Sequence, residues 1–422
     1  MILLRIALAS LNNRRFIALL TVFAIAVSVC LLLAVERVRQ EARVSFASTI
    51  SGTDLVVGAR SGSVNLLLYS VFRLGNATNN IRWDSVETIR AHPQVDWLIP
   101  ISLGDSYRGY RVIGTDQNYI KHYQYGRKQP LALKEGRFFD DNAPFEVVLG
   151  AQVAERLQHK LGDQLVLAHG IATTSLIKHD DKPFTVVGIL APTGTPIDRT
   201  LHIPLAGMEA LHIDWQHGMP ARGAARISPE QAMAMELQPK QVTAAFVGLK
   251  NRTATFTLQR AINDFRQEPL LAILPGVALQ ELWGLMSTAE QALFIVSTFV
   301  VLTGLIGMLT AILASLNERR REMALLRSVG ARPWHIACLL ITEAAALALA
   351  GMIAGLGLLY GLILLAREPL QQHYGILLPI AAPSSYEWLL LGLTFTAALL
   401  MSLIPAVRAY RQSLSDGLSI HL

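Results

Sequence analysis

The chain has 422 residues, of which 52% are hydrophobic, with a mean hydropathy of +0.38 and a formal net charge of +6. This is too apolar for an ordinary soluble protein and too polar for a bundle of many spans, so a membrane protein with one large water-facing domain fits. The basic residues are spread out, without an aromatic-interleaved patch, which argues against nucleic acid as a partner. Both cysteines, Cys30 and Cys338, lie in or beside apolar runs; the water-facing domain therefore has no disulfide available, and there is no CxxC or zinc-finger spacing.

Residues 1–15 place Leu4, Leu8 and Leu11 on one helical face and Arg5, Arg14 and Arg15 near another, as an interfacial helix on the cytoplasmic leaflet would. Residues 16–35 form a first span of 20 residues. It is longer than a signal-peptide core and has no convincing cleavage site, so it reads as an uncleaved anchor. Val35, Val38, Ala42 and Phe46 continue a helical stripe through residues 36–50. Leu279, Leu282, Trp283 and Met286 make a matching stripe before the second span. The two stripes read either as a helical stalk or as faces packed on the domain floor.

Residues 51–284 read as an α+β extracytoplasmic domain in two lobes. Residues 51–105 and 228–284 each suggest a strand–helix–strand unit and pair into one lobe. Asp54–Val57 is a strand and Gly58 a turn, and the strand Val95–Ile101 gives way near Gly104–Tyr107. Residues 106–227 form an inserted β-rich lobe with strands at Tyr110–Gly114, Glu146–Leu149, Gln164–His169, Lys182–Leu190 and Thr200–Ile203. The apolar run Val64–Leu74 reads as a core helix, with contact to a hydrophobic substrate through Leu66, Leu67, Leu68 and Phe72 as the alternative. His169, His179, His202, His212 and His217 all fall in the inserted lobe or its exit. Imidazoles can bind a transition metal, but this spacing is not that of a compact site and favours scattered surface histidines, so no metal ligand is assigned.

Residues 285–316, 334–366 and 388–407 form the remaining three spans, with an external loop at 367–387 and a cytoplasmic tail at 408–422. Gly351, Gly355, Gly357 and Gly361 make small-xxx-small patterns that suit close helix packing, within the chain or between two copies. Glu343 sits at the inner edge of the third span, where Arg319, Arg320 or Arg327 could pair with it. Between the second and third spans lies NERRREMALLRSVGARP, residues 317–333. Its Arg319, Arg320, Arg321, Arg327 and Arg332 mark the cytoplasmic side. Glu318, Glu322 and Leu325 or Leu326 recur at helical spacing, and Gly330 supplies a stop. Both termini then lie in the cytoplasm.

This loop resembles the coupling helix of MacB/LolC/FtsX-type (type VII) ABC transporter permeases, where a motif like ERRREMALLRSVGA docks into the ATPase. The order of one span, a large ectodomain and three further spans is similar to that family too, as is GRFFDD…EVVLGAQVAERLQHKLGDQLVL in the ectodomain. The resemblance implies an inner-membrane permease with a periplasmic domain moved by mechanotransmission, for export or for handling a lipoprotein or another periplasmic substrate. It implies ATPase contact and shape at Glu318, Arg319, Arg320, Arg321, Glu322, Leu325, Leu326 and Gly330. There is no G-x-x-x-x-G-K-[ST], HExxH or GxSxG, so no catalytic residue and no cofactor is assigned to this chain. ATP and Mg would sit on a LolD/MacB-like ATPase partner. A second permease copy is implied, as a homodimer in preference to a paralogous pair. The alternatives are an FtsX-like signalling permease that activates a periplasmic protein, and a metal-linked transporter motivated by the histidines alone.

Overall fold

The computed structural model describes residues 14–170, 179–216, 219–220, 227–318, 320–374 and 380–411. Residues 1–13, and with them the expected interfacial helix, lie outside the described residues, as does most of the tail. The described residues divide into a helical unit within Met1–Glu41, Ser287–Leu370 and Leu378–Leu422, and a mixed unit within Ala42–Met286 and Gln371–Leu377.

Four helices, Arg15–Thr49, Pro275–Glu318, Pro333–Tyr374 and Ser385–Arg411, are long and apolar enough to cross a membrane. Pro275 and Pro333 open their helices at the position where a missing N–H costs nothing. Ser384 and Glu387 start the fourth: Glu387 N–H donates to Ser384 Oγ at 3.2 Å, and Ser384 N–H donates to Glu387 Oε2 at 2.7 Å. This reciprocal cap explains why the helix begins three residues ahead of the expected span at 388. Ile25, Val29 and Leu33 of the first helix pack in one core with Leu305, Met308 and Ile312 of the second, Leu340 and Leu347 of the third, and Leu391 and Ala398 of the fourth. Ser28 Oγ donates to Val300 O at 3.1 Å, joining the first two helices inside the unit.

The mixed unit holds an 11-stranded sheet. In one lobe Leu55–Ala59 pairs antiparallel with both Ala244–Leu249 and Leu270–Ile273, and Ala244–Leu249 pairs antiparallel with Val95–Tyr107. Val86, Ile89, Leu258 and Ile262, from helices Trp83–Arg90 and Thr255–Asn263, fill the core beneath these strands. In the other lobe Tyr110–Thr115 pairs parallel with Thr200–Pro204, which runs antiparallel to Glu146–Leu149; that strand lies parallel to Phe184–Leu190.

One strand, Val95–Tyr107, belongs to both lobes. It extends through the expected change of character at Gly104–Tyr107, because a register shift between Leu103 and Ser106 lets the strand bend and continue against Tyr110–Thr115. The lobe boundary at 105 thus falls inside a strand. Gly58 is a strand residue, not a turn. A Cβ there would lie 2.5 Å from Leu66 Cδ1 and 2.7 Å from Tyr69 Oη, so glycine is what lets helix Ser63–Ser70 sit on the sheet. Phe46 packs on Phe72 at 4.5 Å and on Trp283 at 5.5 Å between ring centroids, and Leu279 is buried in the same core. Those stripe residues therefore pack on the domain, while Val38 is exposed.

Candidate functional site

The loop between the second and third spans contains the helix Arg320–Ser328. Gly330 ends it at φ 105°, a left-handed conformation that glycine adopts without strain. Ala331 N–H donates to Leu326 O at 2.9 Å and Gly330 N–H to Arg327 O at 3.0 Å, closing the last turn. Met323 is buried in the core of the helical unit. Leu325 is 65% exposed and Val329, one turn on, 88% exposed, while Leu326 is half-buried. The helix and the turn that ends it thus have one apolar anchor inward and one apolar pair outward. Val329 was missed by sequence reasoning, which took Gly330 as a stop and assigned no role to the residue before it. The i, i+4 spacing of Leu325 and Val329 was the available clue. Arg319 lies outside the described residues, as do the side chains of Glu318, Arg320, Arg321 and Glu322.

The glycines of the third helix divide into two sets. A Cβ at Gly351 would fall 2.6 Å from Ile25 Cγ2, and one at Gly355 would fall 2.8 Å from Ala26 O, both on the first helix. Among the described residues, Gly357 and Gly361 have nothing within 4 Å. The first pair therefore packs within the chain. Glu343 is buried and lines a small cavity with Arg14, Thr21 and Ser315; Arg14 Nη1 donates to Ser315 O at 3.2 Å. Arg14, just ahead of the first helix, lines the same cavity as Glu343.

Leu66, Leu67 and Phe72 are buried in the ectodomain core and Leu68 packs against it. Contact with a hydrophobic substrate is therefore replaced by a core role, since helix Ser63–Ser70 turns this face onto the sheet.

Three of the five histidines are not scattered. His169, His179 and His212, with Asp105, each offer one ligand atom within 4.8 Å of one another. Asp105 sits at the bend of Val95–Tyr107 with its carboxylate fully buried. His169 is its direct cross-strand partner, on the two-residue strand Ala168–His169. His179 is 3% exposed and held by its N–H to Leu167 O at 2.9 Å. His212 ends helix Leu205–His212. From Asp105 Oδ1 the distances are 3.2 Å to His169 Nδ1, 3.6 Å to His212 Nε2 and 3.7 Å to His179 Nε2. Burial alone would raise the Asp105 pKa; the three imidazoles around the carboxylate, with His169 at hydrogen-bond distance, outweigh it and hold the carboxyl well below the usual range. For His212, burial works against the charged form, but Asp105 and the Met208 carbonyl prevail and raise its pKa. His202 stands apart, buried against Tyr119, and His217 lies outside the described residues. Distant sequence spacing hid the cluster, and Asp105 was hidden because the strand was read as giving way near Gly104–Tyr107.

A family model described as "MacB-like periplasmic core domain" matches residues 18–263, and one described as "FtsX-like permease C-terminal" matches residues 294–414. The macrolide export ATP-binding/permease protein MacB of Azoarcus sp. (strain BH72) is 23% identical over 427 residues, covering 96% of this chain. The pyoverdine export ATP-binding/permease protein PvdT of Pseudomonas fluorescens (strain Pf0-1) is 22% identical over 303 residues, covering 68% of this chain. The chain spans 58% of the MacB relative and 41% of the PvdT relative. Among solved structures, the periplasmic region of MacB from Actinobacillus actinomycetemcomitans matches with a TM-score of 0.35 at 12% identity, over 56% of this chain and 94% of that one.

Proposed function

The chain belongs to the MacB/FtsX-type family of ABC transporter permeases, and from that we propose that it is a membrane subunit through which a separate ATPase moves a periplasmic domain. Four apolar helices and a periplasmic-type domain fit an inner-membrane protein. In this reading the helix Arg320–Ser328 faces the cytoplasm with both termini, and ATP and Mg sit on a LolD/MacB-like partner. A second copy of the chain completes the permease, and the work is export or the handling of a lipoprotein or another periplasmic substrate. The FtsX-like signalling alternative would use the same docking helix and differ only in what the moving domain does.

The observation that carries this is the helix with Met323 buried and Leu325 and Val329 exposed one turn apart. Two exposed apolar side chains, one on a short, anchored helix and one in the turn that ends it, suit a pocket on a soluble partner. A push on them would be passed by Met323 to the core that the long helices share.

The test is stimulation of nucleotide hydrolysis when the chain and its ATPase are co-reconstituted in lipid nanodiscs. The double substitution Leu325→Asp/Val329→Asp should lower stimulation at least about tenfold, which corresponds to the loss of one good apolar contact. Leu326→Asp should lower it as well. Insertion and the melting temperature should not change for the double variant. Full stimulation by a well-inserted double variant would overturn the docking role.

A further inference from the structure

We propose that Asp105, His169, His179 and His212 bind one divalent transition-metal ion of the Zn2+ class, stapling together the inserted lobe of the ectodomain. Three imidazole nitrogens and one carboxylate oxygen form a tetrahedral zinc donor set. Ligand bonds of about 2.0–2.1 Å place neighbouring donors at the corners of a tetrahedron about 3.4 Å apart. The distances found here are 3.1 Å from His169 Nδ1 to His212 Nε2, and 3.2, 3.6 and 3.7 Å from Asp105 Oδ1 to the three imidazoles. Four of the six donor pairs are therefore spaced close to the corners of a tetrahedral site, and all four donors lie within 4.8 Å of one another.

Hydrogen bonds alone leave this cluster unsatisfied. His169 Nδ1 approaches both Asp105 Oδ1 and His212 Nε2, and a single ring proton cannot serve both. Among the described residues, Asp105 Oδ2 and His179 Nε2 are buried without a hydrogen-bond partner. Lys182, the buried cation near His179 in sequence, is held by Asp214 at 2.9 Å. A carboxylate at zero exposure beside converging ring nitrogens carries a desolvation cost that a divalent cation would offset.

The surroundings are those of a metal site. His212 Nδ1 lies 3.0 Å from Met208 O, so donation to that carbonyl fixes the tautomer that leaves the Nε2 lone pair facing the cluster. Trp215 lies against all three rings, at 4.4 Å from His169, 5.0 Å from His212 and 5.4 Å from His179, walling one side with apolar surface. His169 is 41% exposed and leaves a route for loading. Nitrogen donors and a coordination number of four select against Mg2+ and Ca2+, which take six or more oxygens. The ligands come from a bent strand, a short strand, a loop and a helix end, so one ion ties together four segments of the lobe.

The experiment uses the full chain in detergent, stripped with chelator and titrated with Zn2+ or, as a spectroscopic probe, Co2+. One equivalent of Zn2+ should remain after gel filtration, and Co2+ should give the intense visible absorption of four-coordinate cobalt. Zn2+ should raise the melting temperature, and excess Ca2+ or Mg2+ should not compete. Changes one shell outside a metal cost about 10–100-fold in affinity, so His169→Gln and Asp105→Asn should each cost at least about a hundredfold. The partly exposed side chain of His169 makes its variant a fair test of binding rather than of folding. Failure of wild-type protein to hold stoichiometric Zn2+ or Co2+, or undiminished affinity in a folded His169→Gln/His212→Gln variant, would overturn the proposal. That outcome would leave the ATPase-coupling reading standing, since no ligand lies on Arg320–Ser328 and the readouts are separate.

Discussion

Arg37 and Glu387 form a two-pronged ion pair between the first and fourth helices. Arg37 Nε lies 2.9 Å from Glu387 Oε1 and Nη2 lies 3.0 Å from Oε2, with the side chains 6% and 1% exposed. The same guanidinium donates to the Ala381 carbonyl and lies over the Tyr360 ring, so the segment before the fourth helix and the third helix are drawn into one polar knot. Glu387 also caps its own helix, and both of its oxygens are engaged.

Removing one half of this pair leaves the other buried and uncompensated, which costs about 3–5 kcal/mol. Arg37→Met and Glu387→Gln should each lower the unfolding midpoint in detergent sharply, and the double variant should recover most of the loss. Two single variants that melt like wild type would show that water already screens the pair.

The third-helix glycines should respond unequally. Gly355→Val and Gly351→Val push a side chain into Ala26 O and Ile25 of the first helix, and overpacking of this kind costs about 1–3 kcal/mol. Gly357→Ala, with open space at its Cβ, should be neutral or slightly stabilising through helix propensity. Thermal melts of the detergent-solubilised chain give the comparison, and equal losses at 355 and 357 would contradict it.

Gly330→Val should uncouple shape from contact. A β-branched residue at φ 105° is strained, so the last turn of Arg320–Ser328 would be re-formed without any change to Leu325 or Val329. Partial loss of ATPase stimulation is expected, smaller than for the Leu325→Asp/Val329→Asp double variant, together with faster proteolysis at 328–332. Unaltered cleavage would mean that the turn tolerates the side chain.

Buried His202 sets a pH dependence. Burial first, and then Arg73, lower its pKa from 6.5 to about 3, so the folded state disfavours the proton that the unfolded chain accepts. The stabilising effect of neutral His202 is fully present above pH 6.5 and is lost as pH falls toward 3. The slope is up to about 1.4 kcal/mol per pH unit. His202→Leu should flatten the fall in ectodomain stability between pH 6 and 4. Parallel curves for variant and wild type would assign the acid sensitivity to other groups.

Much of this architecture was written in local signals. Four long apolar runs gave the spanning helices, and short apolar runs gave Leu270–Ile273 and Glu146–Leu149 their strand character. What escaped was non-local. Asp105 fell where the strand Val95–Ile101 was read as giving way, and only pairing with Tyr110–Thr115 carries the strand on through its bend. His169 and His212 meet across 43 positions because sheet order, not spacing, brings them together. The glycine pattern showed four small residues but not which helix face would meet the first span. The exposure of Val329 depends on Met323 being the residue turned inward, a choice that hydrophobicity alone does not make.

Because Val95–Tyr107 is hydrogen-bonded to Ala244–Leu249 toward one lobe and to Tyr110–Thr115 toward the other, neither lobe owns a complete sheet. A break in either half frees an edge in the other, so the two are expected to exchange their slowest amide protons on a common timescale. A gene fragment ending between residues 105 and 110 would expose a long unpaired strand and aggregate, however intact the remaining core. Grafting the inserted lobe onto another scaffold would therefore require carrying the whole of this strand along with it.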